Sequence, residues 1–179
     1  MNAPAAIRTP RLDLVVATLD LLRAELDSPA RFAERLGLAV PDGWPPGEYD
    51  EGAIRWVVGK LEEDASRSAW WFYYVLRRAT AEAPAALVGC AGYKGPPDES
   101  GTVEIGYSVL PAEQRRGYAS EATRGLLDHA FAHPGVRRVI AQTLPHLVPS
   151  IGVLDKCGFR LVGPGFEDGA ILFERLRPE

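Results

Sequence analysis

The chain has 179 residues, 46% of them apolar and 25% charged, with a formal net charge of −4. That mix suits one globular domain, residues 1–179, with a core large enough to need no disulfide or metal staple. The acidic balance argues against a broad nucleic-acid surface, and no apolar run approaches the roughly 18 residues of a membrane span. Cys90 and Cys157 lack C-x-x-C spacing and read as reduced, buried thiols, and the N-terminus lacks the charged-then-apolar pattern of a secretory leader. A cytoplasmic protein is expected.

In chain order, Arg11 to Ala17 alternates as a first strand. Thr18 is placed to cap a helix with Leu21, Leu22 and Leu26 on one stripe. Ser28 then caps a second helix, with Pro29 at its first position and Gly37 at its stop. The Pro- and Gly-rich segment from Pro41 to Asp50 is irregular, and a third helix is expected over Glu51 to Arg67. Trp70 to Arg77, Ala86 to Tyr93 and Thr102 to Leu110 read as strands of an antiparallel meander. An amphipathic helix runs from Gly117 to Ala132, a strand from Val136 to Thr143 and a short helix from Ser150 to Cys157, with Gly158 after it. Phe159 to Val162 and Ala170 to Leu176 close the chain as strands. This order describes one mixed α/β sheet with helices on its faces.

The most informative segment is the loop after the meander. A strand ends near Pro111, and a helix begins near Gly117. A helix N-terminus offers free N–H donors and the positive end of the macrodipole, which together seat a pyrophosphate. Gly117 lets backbone approach such a group, Arg115 and Arg116 add positive charge, and Ser120 adds a hydroxyl. The same residues also suit an ordinary strand-to-helix joint with two solvated arginines.

Gln114-Arg-Arg-Gly-Tyr-Ala119 resembles the Q/R-x-x-G-x-G/A acetyl-CoA signature of the GNAT acetyltransferases. The longer string V-E-I-G-Y-S-V-L-P…R-R-G-Y-A-S-E-A, the later V-P-S-I-G-V-L-D-K-C-G-F and the opening T-P-R-L-D-L resemble the branch holding the ribosomal-protein N-terminal acetyltransferases. The likeness runs from about residue 9 to 176. It implies a single, mostly antiparallel six- to seven-stranded sheet, splayed between its fourth and fifth strands. The pantetheine arm of acetyl-CoA would lie in the gap against the backbone near Val109. Gln114, Arg115, Arg116, Gly117, Tyr118, Ala119 and Ser120 would hold the pyrophosphate. The partner would be an amine acceptor, a small molecule or a protein N-terminus, with no metal; a homodimer is left open.

Acetyl transfer to an amine needs a neutral amine, an oxyanion stabiliser and a protonated leaving thiol. By alternation Glu104 shares a strand face with Thr102, Gly106 and Ser108, opposite Val103, Ile105, Tyr107 and Val109. A carboxylate there resembles the family's water-assisted base; a solvated or salt-bridged glutamate is the plainer alternative. Ser150 matches the branch's serine beside the thiol, though a serine at a helix start is ordinarily a cap. Leu147 departs from the branch, which carries Asn there, and Leu154 stands where other branches carry a tyrosine acid. His129 and His133 have metal-ligand spacing but no acidic third ligand, so a solvated helix end is expected. Trp70 and Trp71 read as packing residues. Trp44, Tyr49 and Trp56 either line an acceptor pocket or pin the irregular segment to the core. A catalytically weak acetyl-CoA sensor is the rival to an enzyme.

Overall fold

The computed structural model describes residues 6–47 and 49–178. Strands β1 (Ala6–Arg8) and β2 (Leu12–Val16) lead into helices α1 (Leu19–Asp27), α2 (Pro29–Leu36) and α3 (Glu51–Glu63). Local chemistry sets these bounds. The Thr18 side chain accepts from Leu21 N, Ser28 accepts from Arg31 N, and Asp50 accepts from Ala53 N, each satisfying an N–H that the helix leaves free. Gly37, at φ 74°, stops α2.

Helix α3 ends at Glu63, short of the expected Arg67, because the Asp64 side chain accepts from Ser66 N and turns the chain into a 3-10 segment, Ala65–Trp70. Strand β3 accordingly starts at Phe72 and not at Trp70. Then follow β4 (Ala86–Tyr93), β5 (Thr102–Val109), α4 (Tyr118–Ala132), β6 (Arg138–Thr143), α5 (Val148–Lys156), β7 (Arg160–Pro164) and β8 (Ile171–Leu176).

One sheet holds all of these strands in the order β1-β2-β3-β4-β5-β6-β8-β7. Eight strands replace the expected six or seven. The addition is β1, which folds back on β2 with Ile7 opposite Leu14 and is too short to show alternation in the sequence. Helices α4 and α5 cover one face, packing Leu126 and Leu154 over Leu14, Tyr73, Val103 and Ile105, while α1 to α3 cover the other, packing Leu22 and Phe32 over Tyr74 and Leu87.

All neighbours are antiparallel except β5 and β6. These two, the fourth and fifth strands of the sequence reading, pair only from Thr102–Ile105 to Arg138–Ala141. Beyond that point β5 stays with β4, and Gln142 and Thr143 of β6 pair with β8. The sheet therefore opens from Gly106 onward, where the splay is expected.

Candidate active site

The opening leads to the start of α4. Gly117 is the N-cap at φ 82°, Arg115 also takes a left-handed φ of 61°, and no side chain caps the helix. The first intrahelical bond runs from Glu121 N to Gly117 O at 3.0 Å. The N–H groups of Tyr118, Ala119 and Ser120 therefore have no intrahelical acceptor. Arg115 and Arg116 are exposed, and Arg116 Nη1 reaches Glu113 Oε2 at 3.3 Å. Gln114 Nε2 donates to Val109 O at 3.0 Å, closing the end of β5 against the loop. Tyr118 and Ser120 are buried in the helix–sheet packing, with the carbonyl of Ser120 against Cys157 Sγ.

Glu104 lies mid-strand on the face expected, beside Gly106, where an added Cβ would meet nothing within 4 Å. It is ion-paired: Lys94 Nζ stands 2.6 Å from Oε1, and Gln142 Nε2 donates to the same oxygen at 3.0 Å. Lys94 also reaches Glu167 at 2.7 Å. Gln142 Oε1 accepts from the backbone N–H of Phe166 and of Glu167, so the turn between β7 and β8 is fastened beside Glu104. Burial disfavours the charge on Lys94, but bonding to Glu104 and Glu167 outweighs it and holds the ammonium above its usual range. Lys94, Gln142 and Glu167 carry no motif, and the sequence reading passed over them.

The irregular segment lies along the same face, with Ser108 Oγ donating to Gly47 O at 2.7 Å. Trp44 Nε1, Tyr49 OH and Tyr74 OH all donate to the Glu25 carboxylate, at 2.6, 3.2 and 2.6 Å. Burial pushes that carboxyl up despite the three donors. Trp44 and Tyr49 thus pin the segment to the core, and Tyr49 stacks on Phe72 at 4.2 Å. Trp56 is half exposed, edge-on to the buried Trp71.

On the other side of the opening, α5 starts at Val148, two residues before Ser150. Its N-cap is Leu147, with no side-chain cap bond, so Ser150 lies inside the first turn and does not cap it. The Ser150 hydroxyl is instead 3.2 Å from the hydroxyl of Tyr107, which also donates to Ser150 O at 3.1 Å. Burial pushes the Tyr107 phenol up to about 12. Sequence reasoning placed Tyr107 on the core face and passed over it. Its signal was its position after Gly106, just past the parting of the strands. Leu154 is fully buried.

His129 and His133 are packed, not solvated. Both rings lie against Trp70, and His129 Nδ1 is 3.0 Å from Tyr93 OH. Among the described residues, no group of three or more His, Cys, Asp or Glu is placed to hold a metal. Cys90 and Cys157 are buried free thiols, and no described helix is long and apolar enough to cross a membrane.

A sheet that parts between parallel strands and empties onto a bare helix N-terminus is the architecture of the acyl-CoA-dependent N-acyltransferases. The acetyltransferase (GNAT) domain model matches residues 18–160, and the chain belongs to that family. The chain is 28% identical over 155 residues to the uncharacterized N-acetyltransferase YjdG of Bacillus subtilis (strain 168), covering 87% of this chain and 89% of that one. Its fold is similar to that of a GNAT-family acetyltransferase from Bacillus anthracis (22% identity, 98% and 100% of the two chains, TM-score 0.64). A ribosomal-protein-S5-alanine acetyltransferase from Vibrio fischeri shares it too (16% identity, 98% of each chain, TM-score 0.67). The protein is an acetyl-CoA-dependent N-acetyltransferase.

Proposed function

We propose that the protein moves the acetyl group of acetyl-CoA to a primary amine, on a small molecule or a protein N-terminus, by direct attack with Glu104 as general base. The observation that carries this reading is the opening past Gly106, which joins a carboxylate on one side to a hydroxyl pair on the other and ends at the uncapped α4. Gln114, Arg115, Arg116 and Gly117, with the first-turn backbone of Tyr118, Ala119 and Ser120, hold the pyrophosphate. The β5 backbone near Val109 holds the pantetheine arm. Gly117 suits this role because it presents backbone with no side chain.

The closest contacts of Lys94 and Gln142 both fall on Glu104 Oε1, so Oε2 is the oxygen for a bridging water. Through that water Glu104 takes a proton from the incoming ammonium. The neutral amine attacks the thioester carbonyl carbon, the C–N bond forms and the C–S bond breaks. The leaving thiolate is met by the Ser150 hydroxyl, which Tyr107 orients, and it takes up the proton released from the amine. Lys94 gives the site a fixed countercharge beside the Glu104 carboxylate. The setting is cytoplasmic, in keeping with two buried free thiols.

The test is CoA-thiol release over a panel of α-amines, polyamines and amino acids, paired with thermal shift by acetyl-CoA, CoA and ATP. Stabilisation by the two CoA compounds and thiol release with at least one amine class are expected. Stabilisation without release from any amine would leave a binding module.

A further inference from the structure

Glu121 presents a problem for an anion seat. It lies in the first turn of α4, it is buried, and its charge would oppose a pyrophosphate on the neighbouring N–H groups. The answer comes from the turn between β1 and β2. Thr9 Oγ1 and Arg11 N each donate to Glu121 Oε1 at 2.6 Å, and Arg11 Nε meets Oε2 at 2.7 Å. Arg11 Nη1 donates to the carbonyl of Arg116 at 3.0 Å, the guanidinium lies 4.9 Å over the Tyr118 ring, and Nη2 stands 3.3 Å from where a Cβ on Gly117 would sit.

The turn is closed on itself, with Thr9 N donating to Leu12 O and Leu12 N to Thr9 Oγ1. It also packs tightly on α4, since a Cβ on Gly125 would stand 2.9 Å from Thr9 Cγ2. Burial works against an ionised Glu121, but Thr9 and Arg11 outweigh it and hold its carboxyl below the usual range. Neither the Glu121 carboxylate nor the Arg116 carbonyl is left bare, and the Glu113 carboxylate of the preceding loop faces Arg116.

We propose that Arg11, together with Thr9 and acting through Glu121 and the Arg116 carbonyl, is a positioning residue for acetyl-CoA that makes the start of α4 net positive and fixes the Gly117 backbone for the pyrophosphate. This inference rests on the assignment of the pyrophosphate to residues 114–120. It differs from a plain structural role because it singles out one part of one substrate. S-acetylpantetheine carries the same thioester and arm but no pyrophosphate.

The experiment compares kcat/KM for acetyl-CoA and for S-acetylpantetheine in the parent, Arg11→Gln, Arg11→Gln/Glu121→Gln and Gly117→Val. Arg11→Gln is expected to lower the acetyl-CoA value at least about tenfold, the scale of one lost charge-assisted bond, and to leave the S-acetylpantetheine value little changed. Removing the uncompensated carboxylate in the double variant should restore most of the loss. Equal falls for both thioesters, or a double variant no better than the single, would overturn the proposal. If Arg11→Gln does not fold, Arg11→Lys takes its place, keeping a cation near Glu121 and losing the bond to Arg116; a selective loss for acetyl-CoA supports the proposal and an unselective one overturns it. A parent with no preference between the thioesters, or a Gly117→Val variant with unaltered CoA affinity, would instead remove the pyrophosphate assignment. A selective Gly117→Val beside an unselective Arg11→Gln would remove only the role of Arg11.

Discussion

Ser150 shows how the register of one helix decides what a side chain does. A serine at the first cap position contributes about 1 kcal/mol to stability. Three residues further in, with its hydroxyl on Tyr107, it has no such duty. Ser150→Ala should therefore leave the melting temperature nearly unchanged and lower turnover. Tyr107→Phe, which removes the partner hydroxyl, should lower kcat more than it raises KM for acetyl-CoA. Parallel melting and steady-state measurements decide the matter, and a lower melting point with unaltered turnover would return Ser150 to structure.

Gly117 is strained for any other residue at φ 82°, and Gly117→Val adds a branched side chain beside Arg11. CoA affinity measured by calorimetry should fall at least about tenfold, for each lost charge-assisted bond is worth about 1.5–3 kcal/mol. Glu104→Gln should cost about 10²–10⁴ in rate with a lysine-like acceptor, with partial recovery as pH rises. The loss should be smaller with an α-amine, whose pKa of about 7.7–8.0 leaves a sizeable neutral fraction at pH 7. A pH–rate profile that overlays the parent would take Glu104 out of the mechanism.

Among the elements, the irregular segment after α2 owes its placement to one carboxylate. Glu25 on α1 gathers three donors, one from Trp44, one from Tyr49 and one from Tyr74 of β3. Removing the acceptor leaves buried donors unpaired, at about 1–3 kcal/mol each. Glu25→Ala should thus destabilise by about 3 kcal/mol or more and raise hydrogen exchange first at Trp44 and Tyr49. Because Ser108 of β5 bonds to Gly47, the loosened segment should also raise KM for the acceptor more than for acetyl-CoA. The α4–turn contact through Arg11 works in the same way on the other substrate. Each side of the opening is thus held by a polar tie from an N-terminal element.

At the level of the whole molecule, the far end of α4 contributes to the pH dependence of stability. Burial and the neighbouring His133 both lower the pKa of His129 from its ordinary 6.5. The folded protein therefore resists protonation that the unfolded chain accepts at that value. Stability present above pH 6.5 is lost as pH falls through it toward the lower folded value. Glu121, whose carboxyl is lowered from 4.5, contributes stability above that pH and loses it only below. Between pH 8 and pH 5 the melting temperature should fall, and His129→Gln should show a smaller fall. An identical pH dependence in that variant would show that His129 does not govern this window. His129 lies in the last turn of α4 and Gly117 at its opposite end, so CoA affinity per folded molecule should not follow this titration.

Much of the protein was legible in the residues alone. Alternation placed Glu104 opposite Val103 and Ile105, caps marked the starts of α1 and α2, and the Gly117 segment announced a helix mouth fit for an anion. Those signals are local, for each depends on backbone geometry within a turn or a strand. What remained hidden was which side chains meet across the fold. Tyr107 and Ser150 are 43 residues apart, Glu104 and Gln142 are 38 apart, Lys94 and Glu167 are 73 apart, and Arg11 and Glu121 are 110 apart. Periodicity records the face a side chain takes and not the partner that another strand or helix brings to it. The sequence by itself determined the family, the order of the main elements from β2 onward and the helix start at Gly117 that is proposed to seat the pyrophosphate. Only the tertiary structure decided that Ser150 answers to Tyr107, that Lys94 stands on Glu104, and that Arg11 pairs with the acid in the first turn of α4, because each pairing depends on strand register and helix docking that no local pattern encodes.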